Sequence, residues 1–430
     1  MLKAFVNAFK IPDLRNKILF TLFIIAVYRF GAHLPVPVVD VGILQREFER
    51  QGTQGFLQFI NLFSGGALTN MAVFALGIMP YITSSIIMQL LTAVIPKLER
   101  WRQEGEAGQK KITQWTRYMT VTLALLQSTG FAFLFHSGQG GLPDIFPPGT
   151  FTPPRVGLIV ITLTAGTATI MWMGELITQR GIGNGMSILI FTSVISTLPQ
   201  EGLAILRQAG SAKFAVIVGI GVAIIVAVVF IEQGQRRIPV QYAKRVVGRK
   251  MTAGQSTYIP LKVNQSGVIP IIFASSVLYF PSLIASTINS PGLQDFVDKY
   301  FANQRSVVYM LVYGMLVVFF AYFYTAIAFN PTETADNIRK YGGFIPGIRP
   351  GAPTAKYLND ILVRITLPGS LFLAAIALIP SIFLAFWVIQ QFPFGGTSIL
   401  ITVGVALETM KQLESQLLMR HYEGFLRKPA

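Results

Sequence analysis

Uncharged apolar runs of about 20 residues recur along this chain, and they narrow its fold more than any other feature. A helix rising about 1.5 Å per residue needs that length to cross the ~30 Å hydrocarbon layer of a bilayer. The runs fall at 18–36, 70–95, 118–136, 155–178 and 184–199, then at 213–231, 266–288, 306–329, 366–390 and 397–417. Only 13% of the 430 residues are charged, against about 25% in soluble domains. Outer-membrane barrels show alternating ten-residue strands instead, and none is visible here. The expected fold class is an all-α polytopic membrane protein with ten transmembrane helices.

Charge distribution orients those helices. With the N-terminus in the cytoplasm, cytoplasmic segments hold 27 of the 35 Lys and Arg residues. The other side holds Arg46, Arg50, Arg155, Arg207, Lys213, Lys299 and Arg305, and Arg29 lies inside the first run. This is the positive-inside bias, and it explains most of the net charge of +16 without invoking nucleic acid. Both termini are therefore expected in the cytoplasm. The first apolar run ends without a small-residue cleavage site, so it reads as a retained span rather than a signal peptide. Residues 1–17 mix apolar Leu2, Phe5, Val6 and Phe9 with basic Lys3, Lys10, Arg15 and Lys17, as an amphipathic helix at a lipid surface does.

The two halves echo one another. Gly77-Ile-Met-Pro80-Tyr-Ile82-Thr-Ser-Ser85 and Gly267-Val-Ile-Pro270-Ile-Ile272-Phe-Ala-Ser-Ser276 align at an offset of 190 residues, with Gly, Pro and Ile in step. Interrupted apolar segments at corresponding places in two halves usually mark a transport path. Five spans per half insert the second half upside down, so the expected architecture is two inverted five-helix halves. The expected division is 1–17 amphipathic segment, 18–212 N-terminal half, 213–417 C-terminal half and 418–430 cytoplasmic tail.

Two cytoplasmic loops are long. Residues 232–265 carry seven Lys and Arg against Glu232, with Ile238, Val240 and Tyr242 alternating and Tyr258–Leu261 as a second strand, which reads as a basic hairpin. Residues 330–365 hold Gly343-Phe-Ile-Pro-Gly-Ile-Arg349-Pro-Gly351. For any single cation, simple topology or headgroup contact explains the charge as well as docking does. Topology alone, however, does not call for structured excursions of 34–36 residues.

Several chemistries find no residues. Zero Cys excludes disulfides and thiolate sites, and His33, His136 and His421 lie far apart. The spans lack Asp, and capping at the membrane boundary explains Glu175 and Glu408 better than a proton relay. Gly181-Ile-Gly-Asn-Gly185 lacks the Lys-Ser/Thr ending of a phosphate loop and reads as the start of a helix. Neither a cofactor nor a metal nor a catalytic group is expected. What remains is apolar: Ile78, Ile82 and Ile86 share a helical face, with Ile269 and Ile272 in the second half. They read either as packing residues or as a constriction that seals by dewetting. A small-solute secondary transporter would need a midplane ligand site, and an insertase would need no through-pore.

Long motifs then identify the chain as a member of the SecY family. SGGALTNMAVFALGIMPYITSSIIMQLL at 64–91, ITQRGIGNGMSILIF at 177–191 and QSTYIPLKVNQSGVIPIIFASS at 255–276 resemble that family, as do TADNIRKYGGFIPGIRPG at 334–351 and PFGGTSILI at 393–401. The resemblance implies a bacterial protein-conducting channel shaped as a clamshell, with a lateral gate between the second and seventh spans. It implies a pore ring of Ile78, Ile82, Met186, Ile190, Ile272 and Ile401, with Met186 where the family more often has a branched aliphatic. It implies a plug of Asn61, Leu62, Phe63, Ser64, Gly65, Gly66, Ala67, Leu68, Thr69 and Asn70. Arg245, Arg249, Lys250, Arg349 and Lys356 would dock the SecA ATPase or the ribosome, and nucleic acid would be met only as ribosomal RNA, never as DNA. Implied partners are SecE, SecG, signal-bearing preproteins and membrane lipid, in the cytoplasmic membrane.

Overall fold

The computed structural model describes residues 9, 11–37, 39–51, 55–137, 146–147, 151–242, 246–247, 250–251, 256–288, 292, 296–303, 305–386 and 396–426. They form two compact units: Met1–Gly210 with Val405–Ala430, and Ser211–Gly404.

The first unit opens with α1 (Pro12–Gly31), started by a proline whose missing N–H costs nothing at a helix N-terminus. Residues 1–8 and 10 of the expected amphipathic segment lie outside the described residues; its Arg15 and Lys17 belong to α1. Leu14, Ile18, Thr21, Ile24 and Tyr28 recur at helical spacing and are buried, while Leu19, Leu22 and Phe23 are exposed. Both faces are apolar, which suits hydrocarbon and not water. Short helices α2 (Val41–Gln51) and α3 (Gly55–Ser64) follow, and then a run of turns reaches α4 (Met79–Val94). The expected span 70–95 is thus helical only from Met79. The cause is Gly77, held at φ +58 by close approach to the Phe63 carbonyl and Ser64, with Pro80 at the new helix start.

Past α4, α5 (Pro96–Gln103) turns away by 99°. The long pair α6 (Glu106–Ser137) and α7 (Pro153–Arg180) is joined by a bidentate ion pair, with Arg117 Nε and Nη2 donating to the Glu175 carboxylate at 2.6 and 2.8 Å. Glu175 therefore clamps two helices. Helix α8 (Gly185–Gln233) is two helical segments, one for each of two expected spans, which meet at a kink where Gly210 leaves helical geometry at φ +80. Residues 200–209, expected as a loop, are helical.

In the second unit the basic hairpin forms as the alternation requires. Strand β1 (Gln235–Tyr242) pairs antiparallel with β4 (Ser256–Lys262), Ile238 opposite Ile259. Between them, β2 (Val246–Val247) and β3 (Lys250–Met251) form a smaller ladder. Helix α9 (Ile269–Ile288) leads to a π-turn at Asp298–Ala302 and then α10 (Val307–Ala328), α11 (Pro331–Lys340) and β5 (Gly343–Phe344). Strand β5 joins β1 on its far side, but only at Gln241 and Tyr242, past Pro239, which has no N–H to offer a third strand. Helices α12 (Ala352–Phe386) and α13 (Gly396–Leu426) complete the chain. Leu413 of α13 falls in the first unit, packed with Leu14, Ile18 and Ile182.

Each of the ten expected spans contains helix, over part or all of its length. Among the described residues, five helices pass a combined test of length and apolarity, or six if the bent α4–α5 pair is one span. Gly185–Pro199 is a shorter apolar helix.

The two echoed segments start their helices in the same way. Gly77 (φ +58) precedes Met79 and Pro80, and Gly267 (φ +61) precedes Ile269 and Pro270. Their surroundings differ: a Cβ at Gly77 would stand 2.9 Å from Ser64 Cα, whereas one at Gly267 meets nothing within 4 Å. Gly267→Ala should therefore cost only the left-handed backbone penalty, roughly 1–2 kcal/mol. Gly77→Ala adds a backbone clash and should show the lower thermal midpoint of the two in detergent. Equal midpoints would contradict the contact.

Candidate functional site

Residues 61–70 fold on themselves. The Gly66 amide donates to the Asn61 carbonyl at 3.0 Å and the Thr69 amide to Asn61 Oδ1 at 3.3 Å. Thr69 Oγ1 donates to the Gly66 carbonyl at 2.7 Å, and Ser64 Oγ accepts from the Leu68 amide at 3.3 Å. Phe63, Ala67 and Leu68 are buried; Leu68 packs with Leu44, Met71 and Phe135. On either side of the segment the chain is tied down, with Val36 N–H donating to the Met71 carbonyl and Val73 N–H to that of Leu34.

Two consecutive carbonyls of the segment are gripped from outside. Tyr28 Oη, fully buried, lies 3.4 Å from the Ser64 carbonyl and 2.6 Å from Ser193 Oγ. Arg29 Nη1 donates to the Gly65 carbonyl and to Ser196 Oγ, both at 2.8 Å. Gly65 is at φ +65, and a Cβ there would stand 3.0 Å from Arg29 Nη1, Ser193 Cα and Ser196 Oγ. Sequence reasoning had only one signal for this cluster: a lone Arg within a span, which by default has a functional partner.

The expected ring residues sit at the starts of helices. Ile78 is buried in the turn after Gly77, and its carbonyl accepts the Tyr81 and Ile82 amides. Ile82 is half-buried one turn further on α4. Met186 and Ile190 stand one turn apart on α8, which Asn184 caps through Oδ1 on the Met186 amide at 3.1 Å. Gly174 of α7 leaves room for the Met186 sulfur. In the second unit, Ile272 on α9 and Ile401 on α13 are buried, and Gly404, on α13, faces Val268 just before α9. Ionisable side chains are missing from all six positions. Among the described residues, no three His, Cys, Asp or Glu side chains gather as a metal site.

The two long basic loops, 232–265 and 330–365, meet in one small core. Ile238, Val240 and Leu261 of the hairpin pack with Ile338, Ile345 and Leu358 from 330–365. This core presents cations outward: Arg349 and Lys356 are exposed, and Thr354 Oγ1 donates to the Arg349 carbonyl at 2.8 Å, fixing its turn. Arg237 stacks on the Tyr258 ring at 4.9 Å. Arg245 and Arg249 lie outside the described residues, and Lys250 is placed only by its backbone in β3.

The SecY family model matches residues 72–410. The protein translocase subunit SecY of Streptomyces coelicolor is 56% identical over 438 residues, covering 99% of this chain and all of that one. A solved structure concerned with the plug domain of the SecY protein, said there to stabilise the closed state, superposes with a TM-score of 0.61 at 18% identity, over 93% of this chain and 92% of that one. Sec61 in a canine ribosome–channel complex superposes at 0.57 with 19% identity and the same coverage. At such identities the structures establish the fold, while the family rests on sequence: with more than half its residues shared end to end with a curated relative, the chain belongs to the SecY family.

Proposed function

We propose that this chain is the protein-conducting channel of the cytoplasmic membrane, passing unfolded secretory polypeptides across it and releasing membrane segments sideways into lipid. The observation that carries the reading is the seat of residues 61–70: Ser64 lies against Gly77, next to Ile78, so a closed segment rests on the turn that begins the apolar ring. Ile78, Ile82, Met186, Ile190, Ile272 and Ile401 supply that ring, and residues 61–70 are the plug. An uncharged ring seals by dewetting and holds no cargo by fixed ligands, which suits chains of any sequence.

The channel hydrolyses nothing. Its energy comes from SecA, from chain elongation by the ribosome, or from the membrane potential. Arg349 and Lys356, with Arg245, Arg249 and Lys250, form the docking surface for SecA or the ribosome, because exposed guanidinium groups suit RNA phosphates and acidic protein surfaces. The 27 cytoplasmic cations support cytoplasmic termini. SecE clamps the halves, and SecG completes the assembly. Partner docking and signal insertion part the second and seventh spans and displace the plug.

The chain has no cysteine, so single cysteines at Ile82 and Ile272 give unique crosslinking sites. Both should crosslink the mature part of a stalled secretory chain, dependent on its signal sequence. Crosslinks to lipid alone would make the ring a packing feature. Ile82→Asn and Ile272→Asn put a polar amide into the seal at a cost of about 1–3 kcal/mol, so export of substrates with defective signals should rise roughly tenfold or more. Unchanged signal dependence would count against the ring. Arg349→Glu should abolish SecA-driven export while the chain still inserts and assembles normally; full coupling in that variant would remove Arg349 from the docking surface.

A further inference from the structure

Arg29, a cation within an apolar span, has no part in a ring, a plug or a docking loop, and such a charge is expensive unless it is paired or used. It is the only Lys, Arg, Asp or Glu in 18–36. Placed in the last turn of α1, it gains from the negative end of the helix dipole. It is held from two sides: Nη2 is 3.3 Å from His33 Nε2, one turn along α1, and Nη1 is 2.8 Å from Ser196 Oγ on α8. Ser196 Oγ in turn donates to the Ser193 carbonyl at 2.7 Å, which leaves its lone pairs for the guanidinium. The remaining direction of Nη1 meets the Gly65 carbonyl. Tyr28, the preceding residue, reaches Ser64 and Ser193. Adjacent residues of α1 and a pair one turn apart on α8 thus meet two adjacent carbonyls of the closed segment.

We propose that Arg29 is the positioning residue that latches the plug shut: its guanidinium ties the Gly65 carbonyl to Ser196 and so sets how readily the segment leaves its seat. The proposal rests on residues 61–70 being the plug. A backbone carbonyl is a suitable catch, because its hydrogen bond needs no polar side chain on the segment. The absence of a side chain at Gly65 lets the guanidinium approach, and its positive φ aims the peptide at α1. The latch is a single charge-assisted contact, strong enough to bias closure and weak enough to yield to an arriving chain.

The test uses the full-length chain in its native assembly, reconstituted in vesicles, with ion leak in the absence of substrate as the readout. Four forms are compared: the natural chain, Arg29→Met, a deletion of residues 61–70, and the deletion carrying Arg29→Met. Loss of a hydrogen bond to a charged group should raise the resting leak roughly tenfold in Arg29→Met. The same substitution should add nothing to the deletion, because two changes acting through one contact are not additive. Arg29→Lys, which keeps one donor, should restore part of the closure. Ser196→Ala should leak less than Arg29→Met and likewise add nothing to the deletion, which keeps the idea testable if Arg29→Met fails to assemble.

An unchanged leak in Arg29→Met would overturn the latch. So would an equal rise in the intact and deleted backgrounds, since the arginine would then act through helix packing. If the deletion itself does not leak, the plug assignment falls, and the latch falls with it; the first two failures leave that assignment standing.

Discussion

Hydrocarbon offers no hydrogen bonds, so a backbone that leaves helical geometry at membrane depth survives only where protein groups satisfy it. In the first unit the chain leaves helix after Ser64 and returns at Met79. Much of that stretch satisfies itself: the Ala72 amide reaches the Ala67 carbonyl at 2.9 Å and the Gly77 amide the Phe74 carbonyl at 2.8 Å. The carbonyls of Ser64 and Gly65 receive side-chain groups from α1, which fixes where the segment can lie. The position of Ile78 follows, because Gly77 packs against the Ser64 backbone.

The same device, a left-handed glycine followed three residues later by a proline, starts α4 and α9. Glycine turns the chain at no steric cost, and proline fixes φ for the first helical turn without sacrificing a hydrogen bond. As a consequence, Ile78 and Ile82 in one unit, and Ile272 in the other, stand at or just inside a helix start rather than in the middle of a long rod. A side chain there is placed by a turn, and a turn can adjust where a packed helix interior cannot.

Most of the architecture was legible because hydrophobic periodicity and charge asymmetry are local signals. The ten spans follow from apolar runs, and the hairpin follows from Ile238, Val240 and Tyr242 alternating opposite Tyr258–Leu261. Its union with 330–365 was not legible, since Ile338, Ile345 and Leu358 meet it across about 80–120 residues with no shared period. The same holds for Tyr28 and Arg29 with Ser193 and Ser196, whose contacts span 165 and 167 residues. Glu175 showed as a charge near a boundary, but its partner Arg117, 58 residues away, could not be read from spacing. Helix continued through 200–209 because its Ala, Leu, Arg, Gln and Glu residues are strong helix formers that outweigh Gly202, and Gly210 is where helical geometry ends.

The apolar ring and the polar grip divide one task. Six uncharged side chains in the proposed ring would exclude water and ions but have no directional chemistry, so they could not by themselves select one resting position for a closing segment. Direction requires hydrogen bonds, and hydrogen bonds to side chains of the segment would tie closure to its sequence. Contacts to the Ser64 and Gly65 carbonyls avoid that constraint. Each is worth about 1–3 kcal/mol at most, so their sum lies within what insertion of one apolar signal helix can offset at ~0.8 kcal/mol per buried methylene. A seal built as proposed would be tight at rest and would still open without chemical energy spent by the channel.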